Sequence, residues 1–173
     1  MAYRQIIPID DKLLTKPSAP IELINGEVPQ DILDLAGDML ETCRAINGAG
    51  LAAVQVGEPV RMFVMDLVQI NGPTMVFINP EIIVRSGETI EMLEGCLSMP
   101  GIGFTLERAA TVTVRYTAID GEEKTYDAGG YAAICCQHEI DHLDGIRHID
   151  HLSKLKRSRY MSKFKSMLQA RSG

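Results

Sequence analysis

No histidine occurs in the first 137 residues of this 173-residue chain; all four lie between positions 138 and 151. Imidazole chemistry must therefore come from one short stretch, and a site needing more must draw on other residue types. No run approaches the roughly 20 apolar residues of a membrane-spanning helix. The opening MAYRQIIPIDDKLLTKPSAP also lacks the apolar centre of a secretory signal. A cytoplasmic setting without membrane association is expected. The four cysteines, Cys43, Cys96, Cys135 and Cys136, show no spacing that reads as a secreted disulfide framework. Cys135 and Cys136 are adjacent on an expected helix and read first as small buried hydrophobes. Internal repeats, low-complexity tracts and interdomain linkers are missing too. With 46% hydrophobic and 23% charged residues, the chain reads as one globular domain spanning residues 1–173.

Acidic residues are missing from 151–173, which carries Lys154, Lys156, Arg157, Arg159, Lys163, Lys165 and Arg171. The net charge of the chain is −6, so the first 150 residues must carry −13. An acidic body with a basic tail points either to a polyanionic partner or to a solvated helix face.

In VPQDILDLAGDMLETCRAING, apolar residues Ile32, Leu35, Ala36, Met39, Leu40, Cys43 and Ile46 recur at three- and four-residue steps. This predicts an amphipathic helix of four to five turns, with Pro29 in its first turn and Asn47-Gly48 at its end. VRMFVMDL (60–67), MVFINPEIIV (75–84) and the alternating TVTVRYTAID (111–120) predict strands. Asp120-Gly121 predicts a tight hairpin turn into EEKTYDA. A helix is expected over roughly Tyr131 to Asp144, ended by Gly145. A last helix follows, with an imperfect apolar stripe of Leu152, Leu155, Met161, Phe164 and Leu168. The order suggests an α+β fold with mixed or antiparallel sheet around the second helix.

That helix contains QHEIDHLDGIRH (137–148), in which His138, Glu139 and His142 form His-Glu-x-x-His. Residues four apart share a helix face, so two imidazoles can grip one ion while Glu139 sits about 100° around from His138. A bound ion acidifies its water, and a neighbouring carboxylate accepts the proton. A chance match on a polar helix is the competing reading. A tetrahedral catalytic site needs a third protein ligand. His148 has the spacing of a metzincin protease, although only 25 residues follow it and Met161 lies in a basic helical stretch rather than a turn. Cys96, in LEGCLSMPG, is the other candidate, because a thiolate suits zinc or ferrous iron.

Three stretches taken in order, GAGLAAVQ (48–55), EGCLS (94–98) and QHEIDH (137–142), resemble the peptide deformylase family over nearly the whole chain. The resemblance extends to a C-terminal helix like that of the bacterial type. It implies hydrolysis of the formyl group from N-formylmethionyl nascent polypeptides, with release of formate. It implies Cys96, His138 and His142 as metal ligands and Glu139 as general acid/base. Gln55 and the backbone N–H of Leu97 would stabilise the oxyanion. Gly50 would pair with the substrate backbone, and Glu94 with Arg108 would brace the cysteine loop. Ferrous iron (Fe2+) is the implied ion, with Zn2+, Ni2+ or Co2+ as substitutes. Helix geometry puts Tyr131, Ile134 and Cys135 on the His138 face. With Ala49 and Met92 they could line a pocket for a methionine side chain, or they could be ordinary core. The basic tail would then have the ribosome, through its RNA, as partner; DNA is not expected. A metzincin-like endopeptidase using His148, and a non-catalytic binding protein, remain as the competing functions.

Overall fold

The computed structural model describes residues 2–171. The expected 1–173 span and 151–173 tail therefore extend beyond the described residues at Met1, Ser172 and Gly173. Helix α1 covers Gln30–Ala45, with Pro29 as its N-cap residue. Its buried face is Leu35, Ala36, Met39, Thr42 and Cys43, the three- and four-residue spacing of one apolar stripe. Asn47 adopts a left-handed conformation (φ 53°), and the Gly48 N–H closes on the Cys43 carbonyl at 2.8 Å, which ends the helix.

Seven strands follow: β1 (Gly50–Ala52), β2 (Met62–Asp66), β3 (Thr74–Arg85), β4 (Thr89–Gly95), β5 (Gly103–Ala109), β6 (Thr111–Thr117) and β7 (Glu123–Gly129). Five form an antiparallel sheet in the order β1-β2-β3-β6-β7, and β4 and β5 form a separate hairpin. Alternation along β2 sorts its side chains between two cores. Met62 and Val64 face α1, whereas Phe63 and Met65 face the second helix, α2 (Gly130–Leu143). Phe63 stacks on Phe77 with ring centroids 4.4 Å apart, and Phe77 meets Tyr116 at 4.6 Å. The main sheet is thus clamped between α1 and α2.

The expected hairpin turn at Asp120-Gly121 joins β6 to β7: the Gly121 N–H closes on the Ala118 carbonyl, and the Ala118 N–H on the Glu122 carbonyl, both at 2.9 Å. Gly121 (φ +82°) abuts the Gly26 carbonyl, where any Cβ would lie 2.3 Å away, so this turn docks against the 24–27 turn. One strand differs from the sequence reading. In β3, Asn79 (φ 49°) and Pro80 form a bulge that shifts the register to β6. Proline lacks the ladder donor, and a bulge accommodates it. The Asn79 side chain bonds both backbone groups of Ile21, fixing the N-terminal segment on the strand.

Helix α2 stops where Gly145 (φ +76°) turns left-handed and the Ile146 N–H returns to the Asp141 carbonyl at 2.8 Å. A short 3-10 turn, His148–His151, leads to α3 (Lys154–Arg171). The expected apolar stripe of α3 holds only in part. Phe164 is buried, with Tyr160, Met161 and Met167 packed on the same core, but Leu155 is 83% exposed. Leu155 is the second residue of α3, ahead of Tyr160, Met161, Phe164 and Met167, which pack on the body. Among the described residues, no helix is long and apolar enough to cross a membrane.

Candidate metal centre

Three elements that are distant in sequence meet beside α2. Cys96 follows β4, and His138 and His142 project from consecutive turns of α2. All three are buried, and one ligand atom from each lies within 4.8 Å of the others. The Cys96 Sγ approaches His142 Nε2 at 3.2 Å. His138 donates from Nδ1 to Glu94 Oε2 at 3.0 Å, which leaves its Nε2 for the cluster. One sulfur and two imidazole nitrogens form a donor set suited to zinc or ferrous iron.

Glu94 is fixed in turn. Arg108 forks onto both of its oxygens, at 2.8 and 3.0 Å, and also reaches Asp141, which accepts from His151 at 2.7 Å. Burial raises the Glu94 carboxyl, but the His138 hydrogen bond and the Arg108 guanidinium overcome it and hold the group down at about 2. The β4–β5 hairpin supplies both from its inner face, Glu94 opposite Phe104 and Arg108 opposite Ile90, and the long arginine side chain spans the offset. This pairing orients the His138 ring from the side away from the cluster.

Glu139 is buried, and its Oε2 has no hydrogen-bond partner among the described residues. Burial pushes its carboxyl up to about 7, against the pull of His138. Gln55 is held by its carbonyl oxygen, which accepts from the Ala52 N–H at 2.9 Å. Its amide nitrogen reaches Ser98 Oγ at 3.2 Å and Cys96 Sγ at 3.5 Å. The N-terminal segment braces the backbone of the same residues: the Ile7 N–H bonds the main-chain carbonyl of Gln55, and the Ile9 N–H that of Ser98. Nothing in the composition of residues 7–9 signals this support; it depends on long-range docking.

A cavity of about 390 Å³ opens on the cluster. Of the residues expected at the site, Ala49, Gly50, Gln55, Glu94, Cys96, Leu97, Tyr131, Ile134, Cys135, His138 and Glu139 line it. His142 lies behind, fully buried, and Arg108 supports from outside. Met92 pairs with Leu106 across the hairpin and does not line the cavity. Strand geometry explains this, since a position two residues before Glu94 is displaced along β4 by about 7 Å. Met99, Pro100 and Ile102 were not anticipated as walls, although their nearness to Cys96 in sequence was a usable signal. Gly50 touches the site so closely that a Cβ there would lie 2.7 Å from both Cys135 Sγ and Glu139 Oε1. Burial raises the Cys135 thiol well above its ordinary range, so it is a neutral wall that donates to the Ala49 carbonyl.

His148 does not join the cluster. Its ring stacks on Phe104 at 4.5 Å and 9°, with neither nitrogen hydrogen-bonded among the described residues. Burial pushes it down to about 3.

The chain was compared with known proteins. Residues 3–158 match the polypeptide deformylase family. A peptide deformylase of Rhodopseudomonas palustris (strain BisB18) is 48% identical over 169 residues, covering 95% of this chain and 94% of that protein. The crystal structure of peptide deformylase from Ehrlichia chaffeensis superposes with a TM-score of 0.91 at 36% identity, covering 99% of this chain and all of that one. A second structure of the Ehrlichia chaffeensis enzyme, in complex with actinonin, gives a TM-score of 0.90 at 39% identity, over 96% of this chain and 98% of that one. With sequence, fold and near full-length coverage in agreement, the chain belongs to the polypeptide deformylase family.

Proposed function

We propose that this enzyme hydrolyses the formyl amide of N-formylmethionyl peptides, releasing formate, with residues 1–173 acting as one catalytic domain. The observation that carries the reading is the convergence of Cys96, His138 and His142 beside the Glu139 carboxyl, whose Oε2 has no partner among the described residues, at a cavity that opens on the group. Those three residues would hold the metal, with Fe2+ the ion the family resemblance implies. When bound, it would supply Lewis acidity to water and to the carbonyl oxygen.

Each remaining role falls to a residue of the chain. With its carboxyl near 7, Glu139 can take a proton from water and return it to the departing amine at neutral pH. The Gln55 amide and the Leu97 N–H, both at the cavity wall, would meet the negative charge that develops on the formyl oxygen. β1 is an edge strand whose one partner is β2. On its other side the Ala52 N–H is taken by Gln55, and Gly50, with no strand neighbour there among the described residues, would pair with the extended substrate backbone. Ala49, Tyr131, Ile134 and Cys135 would enclose the methionine side chain.

The endopeptidase alternative is not favoured. It requires His148 as a ligand, and that ring is stacked on Phe104 outside the cluster. The test is metal content and formate release from a formyl-Met tripeptide after anaerobic purification. Cys96→Ala is expected to lose both, whereas His148→Ala, which removes no ligand, is expected still to bind metal and to release formate, weakened only as far as the lost ring loosens His138. A metal-free, active wild type, or full hydrolysis by Glu139→Ala, would overturn the reading.

The basic face of α3 is proposed to dock on ribosomal RNA. Lys156, Arg159 and Lys163 surround a cleft floored by Phe104 and Tyr160. Counterion release makes such binding fall with salt. The triple variant Lys156→Glu, Arg159→Glu, Lys163→Glu leaves Phe164 in place, so it tests docking without unpacking the helix. Unchanged co-sedimentation with ribosomes at low salt would remove this part.

A further inference from the structure

His148 completes the motif that first drew attention to residues 137–148, yet neither the ligand set nor the proton path uses it. Its surroundings are specific. The ring is buried, stacked face to face on Phe104, and tilted 47° against His138 with centroids 5.6 Å apart. Phe104 is backed by Tyr160 of α3 at 5.1 Å. His138 is therefore held on three sides: Glu94 holds its Nδ1, the His142 ring meets it edge-on at 5.0 Å, and His148 packs at its side. One hydrogen bond leaves a ring free to swing about the bond direction, and a flat neighbour removes that freedom. Both nitrogens of His148 lack partners among the described residues, so what it presents to the site is a ring face rather than a donor or acceptor.

We infer that His148 is a positioning residue: wedged between Phe104 and His138, its ring face sets the orientation in which His138 offers Nε2 to a metal ion. This rests on the reading that Cys96, His138 and His142 hold that ion. Residues that orient a metal-ligating imidazole typically carry about 10- to 100-fold in metal affinity or activity.

The experiment uses the full chain loaded with Co2+, whose thiolate absorption and ligand-field bands report coordination directly. Affinity is measured by competition with a chromophoric chelator, and kcat and KM on a formyl-Met peptide. His148→Leu, which keeps bulk but removes the plane, is expected to lose about 10-fold or more in Co2+ affinity. Its ligand-field bands should shift, and kcat should fall with KM little changed. His148→Phe, which restores the plane without nitrogens, is expected to return affinity and bands to within about threefold of wild type. Wild-type affinity and spectrum in His148→Leu would overturn the inference. So would a His148→Phe variant as impaired as His148→Leu, because the nitrogens would then matter. Should His148→Leu fail to fold, Phe104→Leu removes the plane behind His148 and is expected to weaken Co2+ binding; unchanged binding there overturns the inference equally. A wild type that takes up no Co2+ would instead bring down the metal reading itself, which keeps the two failures distinct.

Discussion

Replacing Glu139 with glutamine should abolish hydrolysis and, at alkaline pH, make the metal-free protein more stable. The carboxyl ordinarily titrates at 4.5 and is raised by burial to about 7 in the folded chain. Between those values the folded state holds a proton that the unfolded state releases. Stability therefore declines as pH rises through this window and levels off above about 7. At about 1.36 kcal/mol for each pH unit of difference, the penalty reaches about 3 kcal/mol. Glutamine has nearly the same shape and no charge to bury, so the variant escapes the penalty. For a chain of this size, that corresponds to a Tm higher by about 6 to 12 °C at pH 8. The gain should shrink to nothing near pH 4.5. Urea unfolding of both metal-free proteins from pH 4.5 to 8 measures it. A constant difference across that range, or wild type the more stable at pH 8, would refute the reasoning that burial of Glu139 is what raises it.

Other outcomes follow from the same geometry. Gln55→Ala removes an amide held at the cavity wall and should lower kcat by about 10²- to 10³-fold with a smaller effect on KM, as read by steady-state kinetics. Arg108→Met leaves Glu94 and Asp141 without their shared cation in buried surroundings, and should cost about 3–5 kcal/mol in urea unfolding. Gly145→Ala forces a Cβ to within 2.9 Å of the Lys16 backbone at φ +76°, and should lower Tm measurably while kcat/KM of the surviving folded protein stays near wild type.

The helices were legible because burial of one face leaves a 3.6-residue rhythm, as in Leu35, Met39 and Cys43. β2 and β6 were legible through their content of β-branched and aromatic residues. The β4–β5 hairpin escaped notice because two of its inward positions are Glu94 and Arg108. Their burial depends on pairing with each other, and no hydrophobicity pattern records that. At the site, His138, Glu139 and His142 announce themselves by helical spacing. Cys96 does not, since it comes from a loop 42 positions earlier; only its company in three ordered stretches pointed to it. The struts from Ile7 and Ile9, which brace Gln55 and Ser98, are backbone contacts and have no side-chain signature at all. Leu155 misled in the opposite sense, because periodicity cannot say how far along a helix the contact with the body begins.

The brevity of β1 has a wider consequence. A sheet edge of three residues is too short to recruit the edge of another molecule, which guards against stacking into aggregates. A visiting chain that pairs there is met through amide and carbonyl groups, which every polypeptide carries alike. Under the proposed pairing at Gly50, selectivity would be concentrated on the first side chain and the formyl cap. An enzyme built this way can serve a whole proteome of differing sequences through one small opening.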